Sequence, residues 1–230
     1  HEAGVTLAPA TSAVGAYDPG EDVEGAGDAP APLRREGRPV VIADGADHLT
    51  RYRPRHTFVA AGRHQGASAF EGADAPGVLE LRGACVLLSH GVLPGREVVL
   101  AGADPALDAL AEALAPHADV HGPFPLEAMR EAGGRPSVDD VELELDGGRR
   151  RLSCDCVVLA PPTSAVYELA AQLGVGVRWA GAGYELDVEA GGRTAAADVR
   201  VIGSAAGVHG LEDAVAHAEA AARQLLETGA

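Results

Sequence analysis

The sequence predicts an α/β fold in which a Rossmann-like domain is nested inside a second domain that contains a β-meander. Three observations lead to this prediction. A strand–turn–helix–strand pattern lies in the middle of the chain, between Glu97 and His121. Apolar strands separated by Pro- and Gly-rich turns precede it over residues 3–60. Near the end, the apolar strand Val199–Ile202 runs into a glycine-rich turn and a helix, as in α/β domains.

The order of these patterns predicts a discontinuous outer domain. Residues 1–93 and 180–230 are expected to form this domain, and residues 94–179 the nested Rossmann-like domain. The 230 residues suit one large or two small domains, and a hydrophobic content of 47% suffices for their cores. Because aromatic residues make up only 3% of the chain, those cores must consist mainly of Ala, Val and Leu.

The chain is strongly acidic, with a formal net charge of −16 and 18 basic residues that are all Arg. Codon bias in a GC-rich genome and a salt-adapted acidic surface are two explanations of this composition. Under either explanation, the charge argues against nucleic acids and anionic membranes as partners. No apolar run approaches the ~18 residues that a membrane span needs, and no signal peptide is visible.

The chain has three cysteines, a small and odd number that does not suit a disulfide framework. This favours a reducing cytoplasm as the location. The segments Val138–Leu145 and Arg151–Leu159 predict a β-hairpin. The motif Cys154-Asp155-Cys156 falls within its second strand, so both sulfurs are expected on one face. A metal-binding or redox pair is one interpretation, and two buried strand cysteines are the other.

Short strands and helices are expected on both sides of this hairpin. The β-meander should contain the strands Val5–Tyr17, Pro39–Ala43 and His56–Ala60, with acidic turns over Asp18–Pro32. Leu79–His90 is expected to be helical. A further short helix at Val166–Leu173 should end at Gly174. The apolar residues expected on one face of the final helix are Leu211, Val215, Ala218, Ala222 and Leu225.

The nested domain should open with the strand Glu97–Ala101 and a glycine turn. Asp104 is then expected to cap a helix whose first residue is Pro105, because Asp accepts hydrogen bonds from helix-end amides and Pro has no amide to lose. Leucines at helical spacing follow, and Asp119–His121 forms a second strand. This is the pattern of a βαβ unit.

Four stretches in matching order resemble one known family. They are FVAAGRHQ…FEGADAPGV (Phe58 to Val78), HGVLPGREVVLAGADPAL (His90 to Leu107), the Cys154-Asp155 strand, and GGRTAAADVRVIGSAAGVHGLEDA (Gly191 to Ala214). The family is that of the FAD/NAD(P)-dependent subunits of multi-subunit amine and amino-acid dehydrogenases. It includes the alpha subunit of heterotetrameric sarcosine oxidase and the corresponding subunits of opine dehydrogenase, hydroxyproline dehydrogenase and hydrogen cyanide synthase.

The resemblance implies a flavoprotein with two dinucleotide-binding domains and FAD as cofactor. In that family a partner subunit usually oxidises the C–N bond, and this subunit passes electrons onward through its flavin. The residues implied on the FAD side are Ala61 and Gly62 in one loop, and Gly203, Ser204 and Gly207 in another. Glycine in such loops permits close approach of the backbone to a cofactor, although Gly62 could also simply end a strand.

Ser204 stands where the family has Asp, so a hydrogen bond to the flavin's ribityl chain loses its charge-assisted strength. The helix that begins near Leu211 would direct its positive N-terminal end at the flavin pyrimidine. His209 lies in the connecting loop. It is a candidate proton carrier or an exposed loop histidine without a role.

The nucleotide-binding loop of the nested domain is degenerate. Gly102, Asp104 and Ala106 occupy the three glycine positions of such a loop, and a carboxylate at the second position repels a pyrophosphate. The acid that binds the nucleotide ribose is expected about 20 residues after the first glycine, where the sequence has His121-Gly122 instead. We therefore expect NAD(P) to bind weakly or not at all.

Two further differences from the family concern the ends of the sequence. No G-x-G-x-x-G loop precedes the first strands, and no cysteine-rich segment follows the final helix. The chain is then expected to be either a fragment of a divergent relative or a trimmed subunit that docks on a catalytic partner, and to purify without stoichiometric FAD. The alternative function is a non-catalytic structural subunit that has lost nucleotide binding.

Overall fold

The computed structural model describes residues 5–17 and 39–227. The helices in this part of the chain are α1 (Leu81–Ser89), α2 (Ala106–Leu114), α3 (Glu168–Gln172) and α4 (Leu211–Glu227). The strands within the same ranges are β1 (Ser12–Tyr17), β2 (Val40–Asp44), β3 (Leu49–Tyr52), β4 (Thr57–Val59), β5 (Arg63–Gln65), β6 (Val78–Glu80), β7 (Glu97–Gly102), β8 (Asp119–Phe124), β9 (Met129–Gly133), β10 (Asp140–Leu145), β11 (Gly148–Ser153), β12 (Cys156–Ala160), β13 (Thr163–Ala165), β14 (Val177–Trp179), β15 (Tyr184–Leu186) and β16 (Val199–Val201).

The chain forms two compact units. The outer unit comprises residues 1–64 and 164–230, and the nested unit comprises residues 65–163. The sequence placed the domain boundaries at 93/94 and 179/180 instead. The nested unit begins earlier because β6 pairs with β12 in its parallel sheet. It ends earlier because the residues around α3 pack into the core of the outer unit.

Parallel and antiparallel sheets are layered in the nested unit. The parallel sheet has the strand order β6-β12-β7-β8, and β9, β10 and β11 form a three-stranded antiparallel sheet. Along the parallel strands, alternate side chains contribute to two different cores. One core contains leucines from α1 and α2, and the other contains apolar side chains of the antiparallel sheet. The parallel sheet therefore lies between a helical layer and an antiparallel layer.

Within the described residues, the outer unit combines several small sheets with α3 and α4, and β5 pairs with β13 at its boundary with the nested unit. Strands β1, β2 and β3 form an antiparallel sheet, β14 pairs with β15, and β4 pairs in parallel with β16. Its core is made of Ala, Val and Leu, as the low aromatic content predicts; its fully buried valines include Val199 and Val201. The predicted acidic turns over residues 18–32 lie outside the described residues.

The predicted strand Arg151–Leu159 is wrong as a single element. The hairpin returns as β11, which ends at Ser153, and the chain then joins the parallel sheet as β12. The backbone turns between them at Asp155, whose N–H donates to the carbonyl oxygen of Glu97. As a consequence, Cys154 and Cys156 belong to the cores on opposite faces of the parallel sheet, and not to one face as predicted.

The buried face of α4 agrees with the prediction at Ala218 and Leu225, which are half-buried, and differs from it at the other three residues. Leu211 and Val215 are exposed, with 82% and 51% of their surface accessible, and Ala222 is exposed as well. The face that turns inward contains Ala214, Ala218 and the fully buried Ala221. The difference is a rotation of the helix that apolar spacing alone cannot fix, because both stripes carry small apolar residues.

Candidate functional site

The two glycine loops predicted on the FAD side lie at the same end of one parallel strand pair. Thr57, Phe58 and Val59 of β4 pair with residues 199, 200 and 201 of β16, so the loops that follow both strands leave from the same edge. A Cβ atom added to Gly62 would lie 3.6 Å from Ser204 Oγ. The structure thus brings together the loops that the sequence placed about 140 residues apart.

Gly62 adopts a φ of +78°, a left-handed conformation that is unfavourable for residues with a Cβ. Its carbonyl oxygen accepts a hydrogen bond of 3.0 Å from the N–H of Val166. This bond fixes the loop to the end of β13, which Val166 directly follows. Ala61 precedes it and is exposed. At Gly62 this loop therefore presents only backbone atoms to the space beside Ser204.

Gly203 begins a single 3₁₀ turn that carries the second loop and ends at Ala206, before Gly207. The backbone N–H of Gly203 donates to Nδ1 of His217 on α4, at 3.3 Å. His217 therefore fixes the start of the turn against α4, a role that the sequence did not indicate.

An ion pair lies directly after Gly62. The guanidinium of Arg63 donates two hydrogen bonds to the carboxylate of Glu185, at 2.9 Å and 2.6 Å. The side chains are only 11% and 25% exposed. The hydrogen bonds from Arg63 lower the pKa of Glu185, and burial opposes this shift. His209 is exposed, and its role as a proton carrier stays a prediction.

The nested unit contains a cleft of about 810 Å³ at the carboxyl ends of its parallel strands. The loops after β7, β8 and β12 line it. Open α/β sheets bind ligands in the crevice outside the carboxyl ends of their strands, so this cleft is a candidate ligand site.

Gly102 lies at the carboxyl end of β7 for a packing reason. Its φ is +139°, and an added Cβ would lie 2.5 Å from the carbonyl oxygen of Ala160 on the neighbouring strand. A side chain at this position would push β7 and β12 apart. The glycine is therefore required by the sheet itself, and its presence is not an argument for a bound nucleotide.

Asp104 caps α2 as predicted. Its Oδ1 accepts a hydrogen bond of 2.9 Å from the N–H of Ala106, although the assigned helix begins one residue later than expected. Asp104 also lines the cleft, whereas Ala106 does not. The helix N-terminus at which a pyrophosphate would bind thus already holds a carboxylate of the chain.

The second strand of this unit ends later than predicted. Strand β8 continues past His121 to Phe124, and Glu127 follows it in a 3₁₀ turn that lines the cleft. His121 itself does not line the cleft. The predicted strand ended three residues too early, because the apolar pattern gave no sign that it continued through Gly122-Pro123, and the absence of a ribose-binding acid stays a prediction.

The Cys154-Asp155 motif has a structural role in the nested unit. The carboxylate of Asp155 accepts hydrogen bonds from the backbone N–H groups of Arg96 and Glu97, at 2.8 to 3.0 Å. Burial raises the pKa of the Cys154 and Cys156 thiols to about 12. Since these thiols lie on opposite faces of a sheet, they cannot ligate one ion. No group of potential metal ligands occurs within residues 5–17 and 39–227.

No protein-family model and no curated protein matches the chain. Solved structures do match. L-proline dehydrogenase from P. horikoshii has a TM-score of 0.71 and 22% identity, over 95% of this chain and 41% of that one. A FAD-dependent pyridine nucleotide-disulphide oxidoreductase from Desulfovibrio vulgaris has a TM-score of 0.62 and 18% identity, over 82% and 58%. Thioredoxin reductase from T. acidophilum has a TM-score of 0.66 and 14% identity, over 84% and 70%.

These similarities establish the fold. The chain has the α/β fold of flavoproteins with two dinucleotide-binding domains, including a Rossmann-like part, as the sequence predicted. It spans 41% of the length of the proline dehydrogenase and 58% of the disulphide oxidoreductase. Among the described residues, no helix is both long and apolar enough to cross a lipid bilayer.

Proposed function

We propose that this chain is a flavin-binding oxidoreductase domain, and that it serves as the electron-transferring subunit of an amine or amino-acid dehydrogenase complex. One observation carries the first part. The loops at Gly62 and at Gly203–Gly207 converge at one edge of a parallel strand pair, in a chain with the fold of FAD-dependent oxidoreductases. The second part is supported by the four sequence stretches that resemble such subunits.

The residues at this edge fit a flat cofactor. Gly62 and Gly203 leave backbone exposed where a side chain would obstruct approach, and the hydroxyl of Ser204 lies beside Gly62. FAD, when bound, would accept and donate the electrons. Ser204 would hydrogen-bond the ribityl chain, and the N-terminus of α4 would favour negative charge on a reduced flavin. Arg63 and Glu185 hold the chain directly after Gly62.

The proposed partner is a catalytic subunit that oxidises the C–N bond of an amine or amino acid. Electrons would pass from it to the flavin of this chain. Nicotinamide nucleotides have no place in this route, because the carboxylate of Asp104 caps α2 at the pyrophosphate position of the nested unit. The alternative function, a structural subunit without flavin, makes the opposite prediction for the experiment below.

Ser204 offers a direct test of flavin binding. Ser204→Asp introduces a carboxylate at this position. Its hydrogen bond to a ribityl hydroxyl is roughly twice as strong as that of a neutral acceptor, a gain of about 1 kcal/mol. FAD should therefore bind about five-fold more tightly. Ser204→Asn is the matched neutral control and should leave affinity within two-fold. Quenching of flavin fluorescence on titration of FAD with protein measures both. Equal affinities of Asp and Asn variants, or no quenching with any of the proteins, would favour the structural subunit.

The role in electron transfer is tested in the complex. The chain, loaded with FAD and mixed anaerobically with its amine-oxidising partner, should lose its flavin absorbance when the partner's amine or amino acid is added. Loss of absorbance with NADH alone, and not with the amine, would contradict the proposed route. Flavin binding and the identity of the electron donor are thus tested separately.

A further inference from the structure

The cleft of the nested unit has walls unlike those of a dinucleotide site. Four of its twelve lining residues are prolines, and these four have no backbone N–H to offer a phosphate. Most of the other lining side chains are apolar, including Phe124 and Leu126. A cleft of about 810 Å³ lies in the size range of small-molecule sites, which are mostly apolar with a few polar groups.

Within the described part of the chain, the charged residues that line this cleft are all of one sign. They are Asp104 and Glu127, and no Arg of residues 5–17 and 39–227 lines it. Asp104 enters from the loop after β7 and Glu127 from the turn after β8, so the two carboxylates belong to different loops of one edge. A cleft lined by one sign of charge beside low-dielectric walls concentrates ions of the opposite sign.

One arginine that contacts the turn of Glu127 is already engaged in an ion pair. The guanidinium of Arg130 donates to the backbone carbonyl oxygen of Glu127 and pairs with the carboxylate of Glu144 at 2.7 Å. It does not line the cleft. The carboxylate of Asp104 accepts the capping bond from Ala106 through one oxygen, Oδ1, and keeps its negative charge next to the cleft.

We propose that this cleft binds a small organic cation, namely a primary or secondary amine with an apolar body, at the position where related folds bind a dinucleotide. The ammonium group pairs with the carboxylates of Asp104 and Glu127, and the apolar body lies against the prolines and Phe124. The same charges exclude phosphorylated ligands. This assignment does not depend on flavin binding in the outer unit.

A matched series of ligands tests the sign of the preference. The probes are 2-phenylethylamine, 2-phenylethanol and 3-phenylpropionate, which share an aromatic body and differ in charge, together with NADH. Isothermal titration of the full chain at low ionic strength should show the amine binding more tightly than the alcohol, and the carboxylate and NADH binding least. One ion-pair contact at ~4 Å in a water-like dielectric corresponds to about five-fold in affinity.

Variants locate the site. Asp104→Asn keeps the helix cap, since Asn caps as well as Asp, and Glu127→Gln changes an exposed side chain. Each should weaken amine binding about five-fold and leave the alcohol unchanged. Glu112→Gln on the exposed face of α2 removes the same charge outside the cleft and should have no effect. Tighter binding of the carboxylate or NADH, equal loss in Glu112→Gln, or no saturable binding of the amine would overturn the proposal.

Discussion

The carboxylate of Asp104 should be the main obstacle to nicotinamide nucleotides in the nested unit. It caps α2 through a 2.9 Å hydrogen bond to the N–H of Ala106 and lies where a pyrophosphate would approach the helix N-terminus. It therefore acts in two ways, because it repels the phosphates and also occupies a donor that would bind them. Two substitutions separate these effects.

Asp104→Asn removes the charge and retains the cap. One like-charge contact at ~4 Å costs about 1 kcal/mol in a water-like dielectric, which suits an exposed carboxylate, so NADH affinity should rise about five-fold. Asp104→Gly also frees the N–H of Ala106. A hydrogen bond from that donor to a phosphate contributes about 1.5–3 kcal/mol, or a further ten-fold or more, against a few tenths of a kcal/mol lost in capping.

Isothermal titration with NADH at low ionic strength measures this series. The unsubstituted chain should bind NADH weakly or not at all, and affinity should increase from Asp to Asn to Gly at position 104. Asp119→Asn is the control for net charge and should leave NADH affinity unchanged. Asp119 is the first residue of β8, so it lies at the amino ends of the parallel strands, opposite the cleft. A low-micromolar dissociation constant for the unsubstituted chain, or no gain in the glycine variant, would refute the reasoning.

Two further predictions concern the cysteines and the ion pair. A thiol reagent should modify only the exposed Cys85 in the native chain and all three cysteines in denaturant. Cys154 and Cys156 are protected because they are buried and their thiol pKa values are about 12. Rapid reaction of two thiols in the native chain would contradict the assigned burial. Glu185→Gln should cost about 1.5–3 kcal/mol at pH 7, measured by urea unfolding. Because Arg63 lowers the pKa of Glu185 in the folded state, the difference in unfolding free energy between the two proteins should shrink as pH falls below about 4. A difference that stays constant down to pH 3 would show that the charge of Glu185 does not contribute to stability.

Local sequence patterns were sufficient to predict most secondary-structure elements of the nested unit. The strand at Glu97, the cap at Asp104 and the first hairpin strand, within Val138–Leu145, each depend on neighbouring residues, and the structure has all three. The second hairpin strand was wrong because β11 and β12 follow each other with only two residues between them. An unbroken alternating run does not show that the chain leaves one sheet for another at Asp155.

Glycine loops after apolar strands, together with the resemblance to a known family, predicted the loops at Gly62 and Gly203. The structure places both loops at one end of the β4–β16 strand pair, and their role in flavin binding stays a prediction. The ion pair of Arg63 with Glu185 was not predicted, since 122 residues separate its partners and Glu185 lies outside the four matching stretches. His217 was missed for a similar reason: its bond to Gly203 depends on how α4 is rotated, which the sequence predicted incorrectly.

The most direct test of the account is the affinity of the chain for FAD when Gly62 is changed to Ala. An Ala at a φ of +78° costs about 1–2 kcal/mol, and its Cβ would point into the space beside Ser204. Gly91→Ala imposes a similar cost at a φ of +73° in the nested unit, with no atom within 4 Å of the added Cβ. Titration of flavin fluorescence should show that added FAD binds the unsubstituted chain and Gly91→Ala equally, and Gly62→Ala about ten-fold more weakly. Identical titrations of the two alanine variants would contradict the assignment of the flavin to this edge of the outer unit.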